Sequence, residues 1–166
     1  EDMEKIKEKL PDLQVVDDET KKEETIDNEE IILDKTEEEK TLTKDDCKQG
    51  SLSEQFLCII NNYRQEAGLS SLSFDSKLSA VALAHSEWMD TNTNFSHTGE
   101  NNSSYSDRCH NTGTSCGAEN LAMGASSAQA LFEMWQASPT HNKNMLGNFS
   151  YIGLANSNAY FTLLFR

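Results

Sequence analysis

The sequence predicts an α+β domain in which helices pack against an antiparallel sheet, carried on a disordered acidic segment. Three observations lead to this fold class. All 13 aromatic residues lie after residue 50, so the core of the protein must form there. Apolar side chains then recur at helical spacing in three segments. Finally, the chain ends on two runs that are typical of a β-hairpin.

The first 46 residues form an acidic, low-complexity segment that contains no aromatic side chain. Residues 1–50 contain 19 acidic residues and 9 lysines, which account for most of the net charge of −14. Because such a composition cannot bury enough apolar surface to offset the entropy of ordering, we predict a disordered tether over residues 1–46. The folded domain is then expected over residues 47–166. A fraying helix is the alternative for the tether, since Glu and Lys favour helix.

The folded part begins with two helices whose starts are marked by capping residues. Ser51 and Glu54 have the spacing of a capping box, and Gly68 is placed to end the first helix. Asp75 can cap the second helix. The predicted apolar stripes are Phe56, Leu57, Ile60, Tyr63 and Ala67 in the first helix, and Leu78, Val81, Ala82, His85, Trp88 and Met89 in the second.

The second half of the domain is predicted as a long loop, one helix and a hairpin. Residues 90–117 are polar and indicate a loop. A third helix runs from about residue 127 to residue 137, and Pro139 ends it. Residues 151–155 and 160–165 form the two strands of the hairpin. The predicted apolar face of the third helix consists of Ala130, Leu131, Met134 and Trp135.

Four cysteines, Cys47, Cys58, Cys109 and Cys116, allow three full pairings. An even number of cysteines, two of them around a short loop, favours an exported protein with at least one disulfide over four free thiols. We predict a disulfide between Cys109 and Cys116, because this pair brackets a short polar segment. Cys58 is interpreted as a buried thiol on the first helix. Cys47 can reach it only if the chain folds back over that helix.

Charge and hydropathy exclude two classes of function. The five basic residues after residue 50 are scattered, whereas nucleic-acid binding depends on clustered Lys and Arg. No apolar run approaches the roughly 20 residues that a membrane-spanning helix needs. We therefore expect no nucleic-acid partner, and membrane contact only through an N-terminal anchor preceding Glu1. Such an anchor would make the protein an outer-surface lipoprotein held away from the membrane by its charged tether.

Seven short blocks along residues 52–166 resemble a known family. The blocks are AHSEWM (84–89), FSH (95–97), SDR (106–108), ENLA (119–122), WQASPTH (135–141), NML (144–146) and IGL (152–154). Each block alone is a weak signal, but their order and spacing together resemble the bacterial SCP-domain branch of the CAP superfamily. This superfamily comprises the cysteine-rich secretory proteins, antigen 5 and the pathogenesis-related proteins. The resemblance implies an α-β-α sandwich, an antiparallel sheet flanked by helices, with a central groove.

The resemblance also implies a set of site residues. In the family the groove is lined by two histidines and two acidic residues. By motif, His97 matches the first histidine, Glu119 the acid that opens the ENLA block, and His141 the second histidine. Ser138 stands at the fourth position, where many relatives have Glu. Three of the four positions therefore match the family.

The chemistry of these residues leaves three interpretations open. His97, His141 and Glu119 could hold Zn²⁺ with an open position for water. They could instead poise a general base for catalysis, with Ser138 as a candidate nucleophile, although the sequence shows no group that would orient it. The third interpretation, which we favour, is a buried polar network that stabilises the loops. We therefore expect a protein that is not an enzyme and requires no cofactor, with Zn²⁺ as the candidate metal.

Other polar and aromatic residues have simpler interpretations. His85 lies on the apolar stripe of the second helix and is expected to be a packed histidine. Trp88 and Trp135 occur at helical spacing and are expected in the core rather than as a platform for sugars. Arg108 beside Asp107 is expected to clamp a loop.

The family resemblance implies an extracytoplasmic binding or interaction module displayed at the cell surface. Its expected partner is a small hydrophobic ligand, such as a lipid or sterol, or a host protein, and we expect the chain to be a monomer. The alternative class is a metal-dependent hydrolase that uses the groove of His97, Glu119 and His141. A purely structural protein of the cell envelope is the third class.

Overall fold

The computed structural model describes residues 46–166, so the predicted tether lies outside the described residues apart from its last residue. None of the helices in this part of the chain has the length and apolar content needed to cross a membrane. Short 3-10 turns occupy Asp46–Lys48 and Glu100–Asn102. The helices and strands are α1 (Leu52–Glu66), β1 (Ser73–Phe74), α2 (Ser76–Asn92), α3 (Tyr105–Asn111), β2 (Ala118–Met123), α4 (Ala128–Gln136), α5 (Pro139–Met145), β3 (Tyr151–Ser157) and β4 (Tyr160–Phe165).

Helices α1 and α2 begin where the capping residues predict. The hydroxyl of Ser51 accepts a hydrogen bond from the backbone N of Glu54 at 3.3 Å, and the Glu54 carboxylate accepts one from the backbone N of Ser51 at 2.7 Å. Asp75 caps α2 by accepting from the backbone N of Leu78 at 2.9 Å. Beyond α1, Gly68 has a φ of 73°, which favours glycine after the end of a helix.

The four strands form one sheet in the order β1-β3-β4-β2. Strand β4 pairs in the antiparallel direction with both neighbours, so that Leu163 lies opposite Leu154 of β3 and Asn120 of β2. Strand β1 adds a two-residue parallel pair at the outer edge of β3. The body of the sheet is therefore antiparallel, as the sequence predicts, and the short parallel edge is an addition to that prediction.

Side chains of β4 alternate between two layers of helices. Phe161 and Leu163 belong to the larger apolar cluster, which includes α1 and α4, whereas Leu164 packs with α2 and α3. Thr162, on the same face as Leu164, accepts a hydrogen bond from the hydroxyl of Ser86 on α2 at 2.9 Å. Because successive residues of a strand point to opposite faces, helices cover both faces of the sheet. The predicted α-β-α sandwich is confirmed.

Helix α2 lies directly over Gly153 of β3. A Cβ atom at Gly153 would overlap the backbone of Leu78 and Ser79. Backbone atoms cannot move aside as a flexible side chain can, so this close approach requires glycine. The contact brings α2, which carries His85, close to the sheet.

The sequence predicts a continuous loop from residue 90 to residue 117. The structure does not have a continuous loop there. Helix α2 extends to Asn92, and α3 begins with a capping box between Ser104 and Asp107. Cys109 is the one buried residue of this seven-residue helix. Because so few of its positions are buried, the segment shows no apolar periodicity. The capping box was the one sequence signal that could have indicated this helix.

Three further details differ from the sequence prediction. Pro139 follows the end of α4 but also begins α5, because the fixed φ of proline suits the first position of a helix. Met134, which was predicted on the apolar face of α4, is 44% exposed. Phe132, which is 6% exposed, lies in the core in its place. Strand β2 escaped prediction because its sequence, AENLAM, contains none of the β-branched and aromatic residues that are typical of strands.

All four cysteines form disulfides. Cys109 is bonded to Cys116, as predicted, with their Cα atoms 6.0 Å apart. Cys47 is bonded to Cys58, with Cα atoms 5.3 Å apart, so the interpretation of Cys58 as a free buried thiol is wrong. The turn Asp46–Lys48 packs against α1, and this chain reversal brings Cys47 to the helix.

Candidate functional site

Glu119 is the centre of a polar network at one edge of the sheet. It lies on the edge strand β2, opposite Leu164 of β4, and its side chain is fully buried. The Oε1 atom of Glu119 lies 2.8 Å from Nδ1 of His97. The Oε2 atom accepts a hydrogen bond from Nη2 of Arg108 at 2.5 Å. Both carboxylate oxygens are therefore engaged, and a cationic partner compensates the buried negative charge.

Arg108 clamps the loop that precedes β2. Its Nη1 atom donates hydrogen bonds to the backbone carbonyls of His97 at 3.1 Å and Ser103 at 2.9 Å. With the bond from Nη2 to Glu119, one guanidinium connects α3, the loop and the sheet. The structure confirms the interpretation of Arg108 as a loop clamp. The sequence did not indicate its partner Glu119, because α3 itself was missed.

His97 has one fixed and one accessible ring nitrogen. Its side chain is 56% exposed, and Nδ1 is held by Glu119. The Nε2 atom has no hydrogen-bond partner among residues 46–166. A carboxylate bound to one nitrogen of an imidazole fixes the orientation of the ring and leaves the other nitrogen available.

His141 lies in α5, on the far side of the same network. Burial lowers the pKa of the half-buried His141, and the positive charge of His97 lowers it further. The backbone carbonyl of His141 accepts a hydrogen bond from Nδ2 of Asn120 at 3.1 Å, and Oδ1 of Asn120 accepts one from Nδ2 of Asn144 at 2.8 Å. These amides join α5 to β2.

The structure gives Ser138 no partner for catalysis. It is the N-cap residue of α5, yet its side chain does not cap the helix. Within the described residues its hydroxyl makes no hydrogen bond to His97, Glu119 or His141. A nucleophilic serine needs an adjacent base, and the cysteines are unavailable because all of them form disulfides.

The three predicted metal ligands do not form a metal site as they are arranged. Glu119 is engaged by both His97 and Arg108. In the described part of the chain, no group of three or more His, Cys, Asp or Glu side chains is placed to hold a metal ion. Zinc binding by His97, Glu119 and His141 therefore stays a prediction.

His85 is a packed histidine, as the sequence analysis expected. It is 1% exposed, and its Nε2 lies 2.9 Å from the backbone carbonyl of Ser96. Its ring stacks on that of Trp88, with centroids 5.8 Å apart and an angle of 9° between the planes. Burial lowers the pKa of His85, and the charge of Arg108 lowers it further. The buried Nδ1 atom of His85 has no partner within residues 46–166.

A groove of about 560 Å³ lies beside the network, between α2 and the segment 100–112. One wall belongs to α2 and includes Trp88, and the other belongs to the 3-10 turn and α3. His85 and Arg108 line this groove, and Arg108 also contacts Glu119, so that the groove adjoins the polar network. The sequence analysis did not predict this groove, because its walls come from two helices that only the tertiary structure places side by side.

Comparisons with known proteins agree with this fold. The sequence profile described as "Cysteine-rich secretory protein family", or CAP, matches residues 57–162. A search of curated protein sequences finds no match. Among solved structures, the chain is similar to an extracellular protein of Bacillus anthracis that contains an SCP domain, with 29% identity and a TM-score of 0.65. That match covers 75% of this chain and 43% of the Bacillus protein.

Two further solved structures share the fold at lower identity. An outer surface protein of Borrelia burgdorferi has a TM-score of 0.63 at 22% identity, over 69% of this chain and 90% of that protein. A cysteine-rich secretory protein of Staphylococcus aureus has a TM-score of 0.57 at 18% identity, over 66% of this chain and 36% of that protein. The chain thus spans less than half the length of the Bacillus and Staphylococcus proteins.

Proposed function

The chain belongs to the cysteine-rich secretory protein family, and on this premise we propose that it is an extracytoplasmic binding module without catalytic turnover. The observation that carries the proposal is the state of Glu119. Its fully buried carboxylate is committed on one side to Arg108 and on the other to His97. A general base must be free to take a proton from a substrate, whereas Glu119 serves to hold loops together.

The surroundings of the network support a binding role. The arginine clamp holds backbone carbonyls at His97 and Ser103, so the loop over the site is fixed in position. A rigid loop that leaves the His97 side chain 56% exposed is suited to present a surface to a partner. The lipid, sterol or host protein implied by the family resemblance remains the expected partner.

We further propose that the protein is displayed outside the cytoplasm, on the cell surface. The two disulfides and the extracellular or outer-surface names of similar proteins support this location. The acidic composition of residues 1–46 suits a tether between the domain and an N-terminal lipid anchor.

Cell fractionation of the natural host tests the display. Protease added to intact cells should remove the protein, and globomycin, which blocks lipoprotein processing, should make its precursor accumulate. Recovery of a reduced, protease-protected protein in the cytosol would overturn the proposal.

Turnover assays test the absence of catalysis. The purified chain is incubated with p-nitrophenyl acetate and with casein, with and without added Zn²⁺. The expected rate equals that of the His97→Ala/His141→Ala double variant. A rate that exceeds that of the double variant by more than about tenfold would show a transition-state stabilisation of at least 1.4 kcal/mol and end the proposal.

The second candidate function is a metal-dependent hydrolase. It is favoured by one observation, the contact between Nδ1 of His97 and Glu119, since a carboxylate on one ring nitrogen leaves the other nitrogen oriented and available to zinc. Calorimetric titration with Zn²⁺ separates the candidates. We expect no sub-micromolar binding; such binding, lost in His141→Ala and weakening below about pH 6.5, would favour the hydrolase.

A further inference from the structure

We propose that the groove between α2 and the segment 100–112, hereafter the Trp88 groove, binds a neutral saccharide. The inference rests on the proposed binding function and assigns to this groove a ligand class different from the lipid, sterol or host protein that the family resemblance implies. The volume of about 560 Å³ falls within the range of about 300–1,000 Å³ that is usual for small-molecule sites. The two walls differ in polarity, and this difference indicates the ligand.

The wall formed by α2 is apolar and partly aromatic. Trp88 is half-buried, and the ring of His85 supports it from within by stacking at 5.8 Å. Ala80, Val81 and Ala84 extend this wall along the helix. A pyranose ring has one face of C–H groups, which packs favourably on an indole whose orientation is already fixed. The sequence analysis placed Trp88 in the core, and the structure shows that it lines the groove instead.

The opposite wall supplies uncommitted amides. The side chains of Asn101, Asn102 and Asn111 line the groove and make no hydrogen bond to any residue of the described part. Each amide has both donors and an acceptor, which suits the paired donor and acceptor character of sugar hydroxyls. The backbone at Asn101 and Asn102 has φ values of 52° and 62°, so this turn is held in a conformation that non-glycine residues seldom adopt.

Two buried polar atoms at the groove lack partners. Nδ1 of His85 and Nε of Arg108 belong to residues that line the groove, and neither has a hydrogen-bond partner within residues 46–166. Nε2 of His85 faces the carbonyl of Ser96, so that nitrogen carries the proton and Nδ1 is an acceptor. Nε of Arg108 is a donor. Both atoms are buried beneath the groove surface, so a ligand would contact them only after a shift of the groups that cover them.

Charge and polarity exclude other ligand classes from this groove. Glu100 and Asp107 contribute two negative charges, and the charge of Arg108 is already compensated by Glu119. Anionic ligands, including sulfated sugars and fatty acids, would therefore be repelled. A long apolar chain would remove water from the amide wall without replacing its hydrogen bonds, which is unfavourable. A neutral molecule with one apolar face and many hydroxyls satisfies both walls.

Calorimetric titration of the full chain with N,N′,N″-triacetylchitotriose and with maltotriose tests the proposal. We expect saturable binding of at least one of these neutral probes, with a Kd of about 1 mM or tighter. The titration should also change the tryptophan fluorescence, because Trp88 is half-buried in the groove whereas Trp135 is 1% exposed in the core. Sodium laurate serves as the anionic, apolar comparison and should not bind in this groove.

Matched variants locate the binding. Trp88→Ala should weaken it by about tenfold or more, Trp88→Phe should retain most of it, and Asn111→Ala should weaken it by about threefold. Met134→Ala, an exposed position on α4, should leave the affinity unchanged. Asn111 is exposed, so its variant keeps the test valid even if Trp88→Ala does not fold.

The proposal is overturned if neither saccharide binds up to about 20 mM, well above the affinity expected. It is also overturned if binding is equal in wild type, Trp88→Ala and Asn111→Ala, or if only laurate binds and does so in a Trp88-dependent manner. None of these outcomes bears on surface display or on the absence of turnover, so a failure here is distinguishable from a failure of the proposed function.

Discussion

The two faces of the central sheet differ in how they are covered. On the face toward α1 and α4, Phe56 and Trp135 meet edge to face with ring centroids 5.3 Å apart, within the larger apolar cluster. On the face toward α2, Ser86 and Thr162 form a buried hydrogen bond, and His85 is packed beside them on the same helix. The first face carries the larger apolar cluster, although it also buries Asn120 opposite Leu163, whereas the second face carries the groove and the network of Glu119.

The two tryptophans show the same difference on a smaller scale. Trp135 is 1% exposed, and its ring N–H donates to the backbone carbonyl of Leu121 at 2.9 Å. This bond also satisfies a carbonyl of β2, the edge strand of the sheet. Trp88 is half-buried against His85 and lines the groove. Trp135 is therefore enclosed in the core, whereas Trp88 is partly exposed at the groove.

The largest effect is expected when the apolar cluster between the sheet and helices α1 and α4 is disrupted. Trp135→Ala removes a fully buried aromatic ring and should lower the free energy of unfolding by about 3–5 kcal/mol. Urea denaturation followed by circular dichroism measures the change. Trp88→Ala is the matched control and should cost less than half as much. Equal losses at the two positions would contradict the proposed division between the faces.

The disulfide on the groove side is expected to have the next largest effect. Replacing Cys109 and Cys116 by serine removes the closure of a short loop and should cost about 2–3 kcal/mol in the chain-entropy model. Since Cys109 lies in α3 next to Arg108, the loss should also loosen the clamp on Glu119. Hydrogen exchange of residues 95–112 should then increase.

The corresponding control is the Cys47→Ser/Cys58→Ser variant, in which the disulfide on α1 is lost. It should leave hydrogen exchange of residues 95–112 unchanged. A non-reduced digest analysed by mass spectrometry tests both pairings. Alkylation of Cys109 without reductant would refute the Cys109–Cys116 bond.

A smaller effect is expected from the polar network itself. Glu119→Ala leaves the guanidinium of Arg108 without its buried partner and should cost about 1–3 kcal/mol. A double variant that also carries Arg108→Leu should lose less than the sum of the two single variants, because each residue loses the same interaction. Additive losses would show that the two residues do not act as a unit. Zn²⁺ should not raise the melting temperature of the wild type.

The smallest effect is a pH dependence that arises from His85. Burial lowers its pKa in the folded state, so the unfolded chain, with a histidine pKa near 6.5, binds a proton more readily. Stability should therefore fall as the pH drops below about 6.5, by at most about 1.4 kcal/mol per unit, and this loss should end below the folded-state pKa. Unfolding between pH 4.5 and 7.5 measures it. An equally steep decline in His85→Gln would assign the effect to other groups.

Elements with strong local signals could be predicted from the sequence. The capping box at Ser51 and the cap at Asp75 placed the starts of α1 and α2, and the apolar and aromatic C-terminal runs indicated the hairpin. Motif order predicted the family and the α-β-α sandwich. Helix α3 was missed because it buries too few residues to show a period, and strand β2 was missed because it contains no β-branched or aromatic residue.

The candidate site was predictable only in part. Motif matching selected His97 and Glu119, and the structure places their side chains 2.8 Å apart although 22 positions separate them. The partner that determines the state of Glu119 is Arg108, 11 positions away, and no spacing rule links two residues on different elements across a loop. Tertiary contacts therefore decide whether the carboxylate of Glu119 is free to act as a base or is held in a structural network.

The sequence by itself determined what depends on neighbours along the chain: the helix caps, the apolar C-terminal runs of the hairpin, the acidic composition of residues 1–46 and the family motifs. Only the tertiary structure decided which distant groups meet. It paired Cys47 with Cys58, turned Trp88 toward a groove and placed Arg108 on Glu119. The physical reason is that a cap or a period is satisfied within a few residues, whereas a buried charge takes its partner from whichever element the packing brings near.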